Sequence, residues 1–259
     1  MDNLVWTISS QSTKRRNADD ALTLARRTAA NPMQRFLSSF FDPGVATQYL
    51  PVMLPGFALT FALAVAIIAS GTALGIALAA LRSFGYRSVN VAMAVAVDIL
   101  RAVPPLATIV VIYFALPFVG VTLPGIVAAW LCLSVILGAF AEEIVFAAIA
   151  TVARGQWDAG RSLGLSFGRT LRVIVLPQAL RLAIGPLTNR AIGMGKNTAL
   201  ASVIAVPEVL NRATSAMSAS GNTTPLTIAA VFYLVMFLPL VLASRLVERR
   251  FPATRTGNV

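Results

Sequence analysis

No charged side chain occurs between residue 102 and residue 141, a stretch far longer than one membrane-spanning helix needs. Residues that favour turns interrupt it near its middle, at Pro117, Gly120, Pro124 and Gly125. Because a helix rises 1.5 Å per residue, about 20 apolar residues cross the hydrocarbon core of a bilayer. The stretch therefore predicts two spanning helices, at about 88–116 and 124–151, joined by an uncharged turn.

The composition of the whole chain agrees with this prediction. Of its 259 residues, 57% are hydrophobic and 12% are charged, and the mean hydropathy is +0.78. Such a chain is too apolar for an ordinary soluble domain. We predict an all-α integral membrane protein with about five transmembrane helices, the other three lying at about 56–81, 178–204 and 226–244. Small residues of the first span would let another helix approach closely: Gly71, Ala73, Gly75 and Ala79.

The residue types present exclude several kinds of function. The net charge is +11, but the arginines flank apolar runs, so membrane sidedness explains them better than nucleic-acid binding does. There is no histidine, and the one cysteine, Cys132, lies in an apolar run. This excludes histidine catalysis, Cys/His metal sites and an intrachain disulfide. We predict no cofactor or metal in this chain and no nucleic-acid partner.

Arginines at the ends of the predicted spans indicate which loops face the cytoplasm. They include Arg82, Arg87, Arg154, Arg161 and Arg245. With five crossings, this pattern predicts a multi-pass membrane protein with the C-terminus in the cytoplasm and the N-terminus outside. Basic residues between positions 14 and 35 argue for the opposite orientation.

The chain divides into three regions. Residues 51–250 form the predicted transmembrane domain, residues 251–259 a cytoplasmic tail, and residues 1–50 a polar or amphipathic segment. Apolar residues near the end of that segment have helical spacing: Phe36, Leu37, Phe40 and Phe41. Both a helix lying on membrane lipid and a loosely ordered basic tail are compatible with the segment.

A charged, glycine-punctuated loop at about 155–181 separates two apolar runs. It contains Asp158-Ala159-Gly160, then Gly164-Leu165-Ser166 and later Leu176-Pro177-Gln178-Ala179-Leu180. This pattern resembles the cytoplasmic loop of ABC importer permeases, which usually reads Glu-Ala-Ala with a glycine six residues after the Glu. More narrowly, it is similar to the polar amino acid uptake permeases, and the resemblance covers about residues 56–250.

The resemblance implies the fold of a type I ABC importer permease of the bacterial cytoplasmic (inner) membrane, which is a transport subunit and not an enzyme. It implies ABC ATPase subunits that bind ATP and Mg, a second permease subunit and an extracytoplasmic solute-binding protein as partners. The expected cargo is a polar amino acid or an amino-acid-like solute. The alternative is a secondary transporter without an ATPase, although the chain has no visible internal repeat of the kind such transporters often carry.

The loop itself suits a short helix, predicted near 157–166, that docks into a cleft of another protein. Asp158 would cap this coupling helix and Gly164 would end it with a positive φ. The residues expected to couple the chain to its ATPase are Trp157, Asp158, Ala159, Gly160, Leu163, Gly164 and Leu165.

Asp98 and Arg101 lie three residues apart, so they share one face of the second predicted span and can pair. The stretch from Arg101 to Pro104 resembles the Arg-Gly-Thr-Pro of amino acid permeases. Pro104 should kink the helix. We interpret the two charges as a structural ion pair at that kink in preference to a substrate contact.

Glu142 and Glu143 point about 100° apart on the third span, so they cannot share one partner. The resemblance of residues 139–144 to the family's Ala-Tyr-x-x-Glu-Ile assigns the family acid to Glu143. A substrate amine and a bridge to another helix both remain open as its role.

Two departures from the family concern the substrate. Phe146 stands where these permeases commonly have Arg, and Arg190, which follows Asn189, stands where they commonly have a neutral or acidic residue. We predict a substrate path that includes Glu143 and these three residues. The exchange of charge between helices leaves room for an anionic or modified amino acid.

Overall fold

The computed structural model describes residues 32–250, and all regular structure in that range is helical. The helices are α1 (Pro32–Phe40), α2 (Pro43–Arg82), α3 (Arg87–Ala102), α4 (Pro105–Ala115), α5 (Gly125–Thr151), α6 (Arg154–Ser162), α7 (Phe167–Thr170), α8 (Leu176–Lys196), α9 (Val209–Ser220) and α10 (Thr224–Arg250). A π turn joins α7 to α8, and 3₁₀ turns follow α4 and α8. The all-α prediction is confirmed. The predicted cytoplasmic tail lies outside the described residues, as do residues 1–31.

Within residues 32–250, four helical segments are long and apolar enough to cross a membrane: Pro32–Arg82, Gly125–Thr151, Phe167–Ile204 and Thr224–Leu246. The pair α3 and α4 passes the same test only when taken together. Four to five spans agree with the predicted number.

The first span is longer than predicted. α2 is a continuous helix of 40 residues that contains Pro51 and Pro55. The Asp42 carboxylate accepts hydrogen bonds from the N–H groups of Gly44 and Val45, which fixes the start of the helix. The helix continues through both prolines, which membrane-spanning helices tolerate where other groups satisfy the freed backbone carbonyls. The helix therefore crosses residue 50, where the sequence places a region boundary.

α2 packs along α5 through small residues, as their spacing predicts. A Cβ atom added at Gly71 would lie 2.8 Å from the Cβ of Leu137. A Cβ atom added at Gly75 would clash with Ala141 and lie 2.8 Å from the carbonyl oxygen of Gly138. The two backbones therefore meet at a distance that only glycine allows. The contact places α5, which carries both glutamates, at the centre of the bundle.

The second predicted span is not one kinked helix, and that prediction was wrong. α3 and α4 meet at an angle of 102°, across a break at Val103 and Pro104. Both break residues are extended, with ψ of 130° and 134°. Each of them precedes a proline, which disfavours the helical conformation of the residue before it. Two consecutive prolines thus produce a turn where one would produce a kink.

The last two spans and the segment between them also differ from the sequence boundaries. The span predicted at 178–204 begins at Phe167 in the structure. The last span, predicted at 226–244, is extended in both directions by α10. α9 was not predicted, because its polar residues hide it between two apolar runs. Of the helix and the loosely ordered tail that the sequence allowed near the N-terminus, residues 32–40 form the helix, α1. The Asn222 amide, just before α10, donates to the carbonyl of Ser38 at 2.9 Å and so connects α1 to the start of α10.

Candidate functional site

α6 is the short helix that the loop predicts, although it begins earlier than expected. It starts at Arg154 because Val152 and Ala153 are extended and end α5. No side chain caps it. Asp158 lies in the middle of the helix and is exposed, so its predicted capping role was wrong.

The end of α6 matches the sequence prediction. Gly164 has φ of +78°, a conformation that side chains with a Cβ rarely adopt. Its N–H donates to the carbonyl of Arg161 at 2.9 Å, and the N–H of Leu165 donates to that of Gly160 at 3.2 Å. These bonds satisfy carbonyls that a helix end leaves free.

One side of α6 is fixed to the membrane domain. The indole of Trp157 stacks on Phe167, with ring centroids 5.0 Å apart, and Phe167 contacts Phe84 at 5.3 Å. Gly160 is buried, and a Cβ atom there would lie 2.6 Å from the Cγ2 of Thr170. Two of the predicted coupling residues, Trp157 and Gly160, thus attach the helix to its own chain.

The other side of α6 faces outward. Leu163, which directly follows the helix, is 79% exposed and leaves a large apolar side chain accessible to a partner. Asp158 and Ala159 are also exposed, whereas Leu165 is half-buried. This outer side is the surface on which a partner would have to bind.

A cavity of about 410 Å³ lies at the break between α3 and α4. Residues from α3, α5 and α8 line it, among them Arg101, Phe140, Arg190 and Met194, together with Pro104 at the break and Asn197. Irregular backbone inside a membrane domain is tolerated where it lines such a cavity. The cavity is therefore the candidate substrate site.

Arg101 forms its short ion pair with a different residue from the predicted one. Its Nη1 lies 2.7 Å from Oε2 of Glu143 and 3.8 Å from Oδ1 of Asp98, whose side chain is 74% exposed. The contact with Asp98 is present but long. Glu143 bridges α5 to α3, which is one of the two roles that the sequence left open for it.

Arg190 lies against the face of Phe140, with the guanidinium carbon 3.1 Å from the ring centroid. The guanidinium carbon of Arg101 lies 5.3 Å from the same ring. Of the four predicted path residues, Arg190 lines the cavity and Glu143 contacts a residue that does. Asn189 and Phe146 are not among its lining residues.

The sequence analysis did not foresee the partner of Glu142. This side chain is fully buried, and its Oε1 accepts a hydrogen bond from Nη1 of Arg82 at 3.0 Å. Arg82 also lies over the ring of Phe146, 4.3 Å from its centroid. The angular separation of the two glutamates predicts different partners, but only the packing of α2 on α5 shows which ones.

Glu208 is a second fully buried acid that sequence reasoning missed. Its carboxylate caps α9 by accepting from the N–H groups of Leu210 at 2.9 Å and Asn211 at 2.7 Å. The Tyr233 hydroxyl donates to it at 2.8 Å. Burial raises the pKa of this carboxyl, which lies between the last two spans, and the hydrogen bonds from Leu210 and Tyr233 oppose that shift. An acid directly before a helix is the signal that could have found it.

Comparison with known proteins identifies the family. Residues 71–252 match the model of the family described as "Binding-protein-dependent transport system inner membrane component". The chain belongs to this family. Its members are permeases of ABC importers, so the chain is a multi-pass transport subunit of the inner membrane.

Relatives agree over most of the chain. The glutamine transport system permease protein GlnP of Escherichia coli (strain K12) is 33% identical over 215 residues, which cover 81% of this chain and 97% of GlnP. The L-cystine transport system permease protein TcyB of Bacillus subtilis (strain 168) is 32% identical over 210 residues, 80% of this chain and 89% of TcyB.

A crystal structure of an amino acid ABC transporter with histidines is similar in fold. Its TM-score is 0.70 at 28% sequence identity, over 79% of this permease chain and 96% of the other. An inward-facing structure of the methionine ABC transporter MetNI matches with a TM-score of 0.58 at 21% identity, which supports the fold alone.

Proposed function

We propose that this permease carries a polar amino acid or an amino-acid-like solute across the cytoplasmic membrane, driven by ATP hydrolysis in a partner subunit. The observation that carries the proposal is the amino acid cargo named for relatives that match about four-fifths of the chain. The cavity of about 410 Å³ among α3, α5 and α8 has room for such a solute. Family membership favours an importer over the alternative, a secondary transporter without an ATPase.

The partners follow from the same family. We infer that ABC ATPase subunits, which bind ATP and Mg, contact the outer side of α6, and that an extracytoplasmic solute-binding protein delivers the cargo. A second permease subunit, identical or similar, would complete the channel. The exposed Leu163 at the end of α6 supports the contact with an ATPase, because a docking helix inserts such a side chain into a groove.

A mechanical path connects α6 to the cavity. Trp157 and Gly160 contact Phe167 and Thr170 of α7, and α7 continues through the π turn into α8, which carries Arg190. When closure of the ATPase subunits displaces α6, this continuous segment would move with it. The cavity would then open alternately to the two sides of the membrane, which is alternating access.

Membrane orientation belongs to the same proposal. α6 contacts ATPase only if it lies in the cytoplasm, which places the turn at 116–124, at the opposite end of α5, outside. With α3 and α4 counted as one broken span, the C-terminus is cytoplasmic and the N-terminus lies outside.

The test is uptake into proteoliposomes that contain the permease purified with its ATPase and binding protein. Radiolabelled glutamine, cystine, arginine and glutamate serve as cargo, with either ATP on the ATPase side or an imposed proton or sodium gradient. Uptake of at least one of them should require ATP and should stop when a non-hydrolysable ATP analogue replaces ATP. Uptake that runs on a gradient without ATP would support the secondary transporter.

A further inference from the structure

We propose that the cavity at the break between α3 and α4 accepts a solute with a net negative charge. In this proposal, Arg190 is the residue that pairs with the carboxylate of the solute. The inference rests on the proposed function, because it names the substrate class of that transport. It depends on how charge is distributed around the cavity, which the names of the relatives do not address.

The lining of the cavity carries positive charge only. Arg101 and Arg190 contribute guanidinium groups, and Asn197 contributes an amide. None of the side chains that line it is acidic. A solute inside the cavity would therefore meet hydrogen-bond donors with a positive charge before it meets any carboxylate.

The two arginines differ in how their charge is balanced. Arg101 pairs with Glu143 at 2.7 Å and approaches Asp98 at 3.8 Å. Arg190 forms no salt bridge within residues 32–250, although the Nε atoms of both arginines are buried without a hydrogen-bond partner. Because a cation in a membrane-spanning segment is costly unless it is paired, Arg190 lacks a partner that a bound carboxylate would supply.

Phe140 holds this arginine in position. The guanidinium carbon lies over the ring, 3.1 Å from its centroid, which is a cation–π contact. Such stacking leaves the edge of a guanidinium available for hydrogen bonds. A carboxylate can then bind through two parallel N–H···O bonds, the geometry that arginine favours.

The same arrangement disfavours other charge classes. A solute with a net positive charge would place a cation near two guanidinium groups, and like charges repel each other. The nearest acid, Glu143, is already engaged by Arg101 and is less available for an ammonium group. Glutamate, glutamine and arginine differ in charge at comparable size, so they form a suitable series of probes.

The experiment measures equilibrium binding of these three radiolabelled amino acids to the purified permease–ATPase complex in detergent. The solute-binding protein is left out, because it has a specificity of its own. Glutamate should bind at least about tenfold more tightly than glutamine. Arg190→Gln should remove this preference and Arg190→Lys should retain part of it. Arg181→Gln, an exposed position on the same helix outside the cavity lining, should change nothing.

Several results would overturn the proposal: glutamine or arginine binding as tightly as glutamate, no glutamate binding at millimolar concentration, or a preference that survives in Arg190→Gln. A melting temperature lowered by Arg190→Gln with unchanged binding would also overturn it, because Arg190 would then pair within the assembly.

Uptake measurements separate this inference from the proposed function. ATP-driven uptake of arginine by the same complex would uphold the importer and overturn the charge preference. Glutamate uptake that runs on an ion gradient without ATP and is lost in Arg190→Gln would overturn the importer and uphold the charge preference.

Discussion

The carboxylate of Glu142 accepts a hydrogen bond from Arg82 at 3.0 Å, across the interface of α2 and α5, and no part of that glutamate is exposed. The neighbouring Glu143 points away from it and pairs with Arg101 of α3 at 2.7 Å. Two adjacent acids thus tie α5 to two different helices. In the first pair the glutamate is fully buried and Arg82 is 20% exposed, whereas the second pair lies beside the cavity.

This geometry predicts different defects for the two glutamates. Glu142→Gln should leave the partly exposed Arg82 charge without its counterion, which costs about 1–3 kcal/mol, and should lower the melting temperature of the complex. Glu143→Gln should lower uptake while the complex still assembles, because the residue it holds, Arg101, lines the cavity. Thermal unfolding and uptake at equal protein abundance distinguish the two. An uptake defect confined to Glu142→Gln, without loss of stability, would contradict the assignment.

The sequence was most informative where one local property decides the structure. The third span was predicted at 124–151 and α5 covers Gly125–Thr151, because Pro124 marks the start of the helix and the charged loop follows its end. Gly164 could be placed at a helix end because few other residues adopt its φ of +78°.

Contacts between distant parts of the chain were less accessible. That Arg101 pairs with Glu143 and not mainly with Asp98 depends on how α3 packs on α5, which helical spacing cannot show. The stacking of Arg190 on Phe140 depends in the same way on α8. The sharp break before α4 depends on neighbouring residues in the sequence. It was nevertheless underestimated, because one proline predicts a kink whereas two consecutive prolines produce a turn.

The turn at Gly164 gives a prediction for the coupling loop. Gly164→Val should strain the exit from α6 by about 1–3 kcal/mol, because valine resists a positive φ. The spans should still insert, so the variant should reach the membrane at normal abundance but lose transport. Gly120→Val is the matched control, since that glycine has φ of +80° and open space around it but lies in the turn between α4 and α5. Uptake by Gly164→Val equal to that of the control variant would show that the turn at Gly164 has no role in transport.

Membrane sidedness is testable with single cysteines in a chain whose Cys132 has been replaced. Phe118 is 91% exposed in the turn between α4 and α5, and Leu163 is 79% exposed at the end of α6. Phe118→Cys should react in intact cells with a thiol reagent that cannot cross the membrane. Leu163→Cys, in cells that lack the partner ATPase, should react only after the membrane is opened. The reverse pattern would show that the orientation is wrong.

The central claim is that the outer side of α6 links this permease to an ATPase, and Leu163 tests it most directly. Leu163→Asp should place a charge where an apolar contact is expected, without disturbing the inner contacts of Trp157 and Gly160. Phe118→Asp makes an equivalent change at an exposed position at the opposite end of α5 and serves as control.

The decisive measurement is ATP hydrolysis by the reconstituted complex, with and without cargo-loaded solute-binding protein. We predict that Phe118→Asp retains the stimulation shown by the natural chain. Leu163→Asp should lose it by about tenfold or more, as expected when a charge replaces a buried apolar contact, or should fail to retain the ATPase during purification. Full stimulation in Leu163→Asp, with the ATPase still bound, would contradict the account.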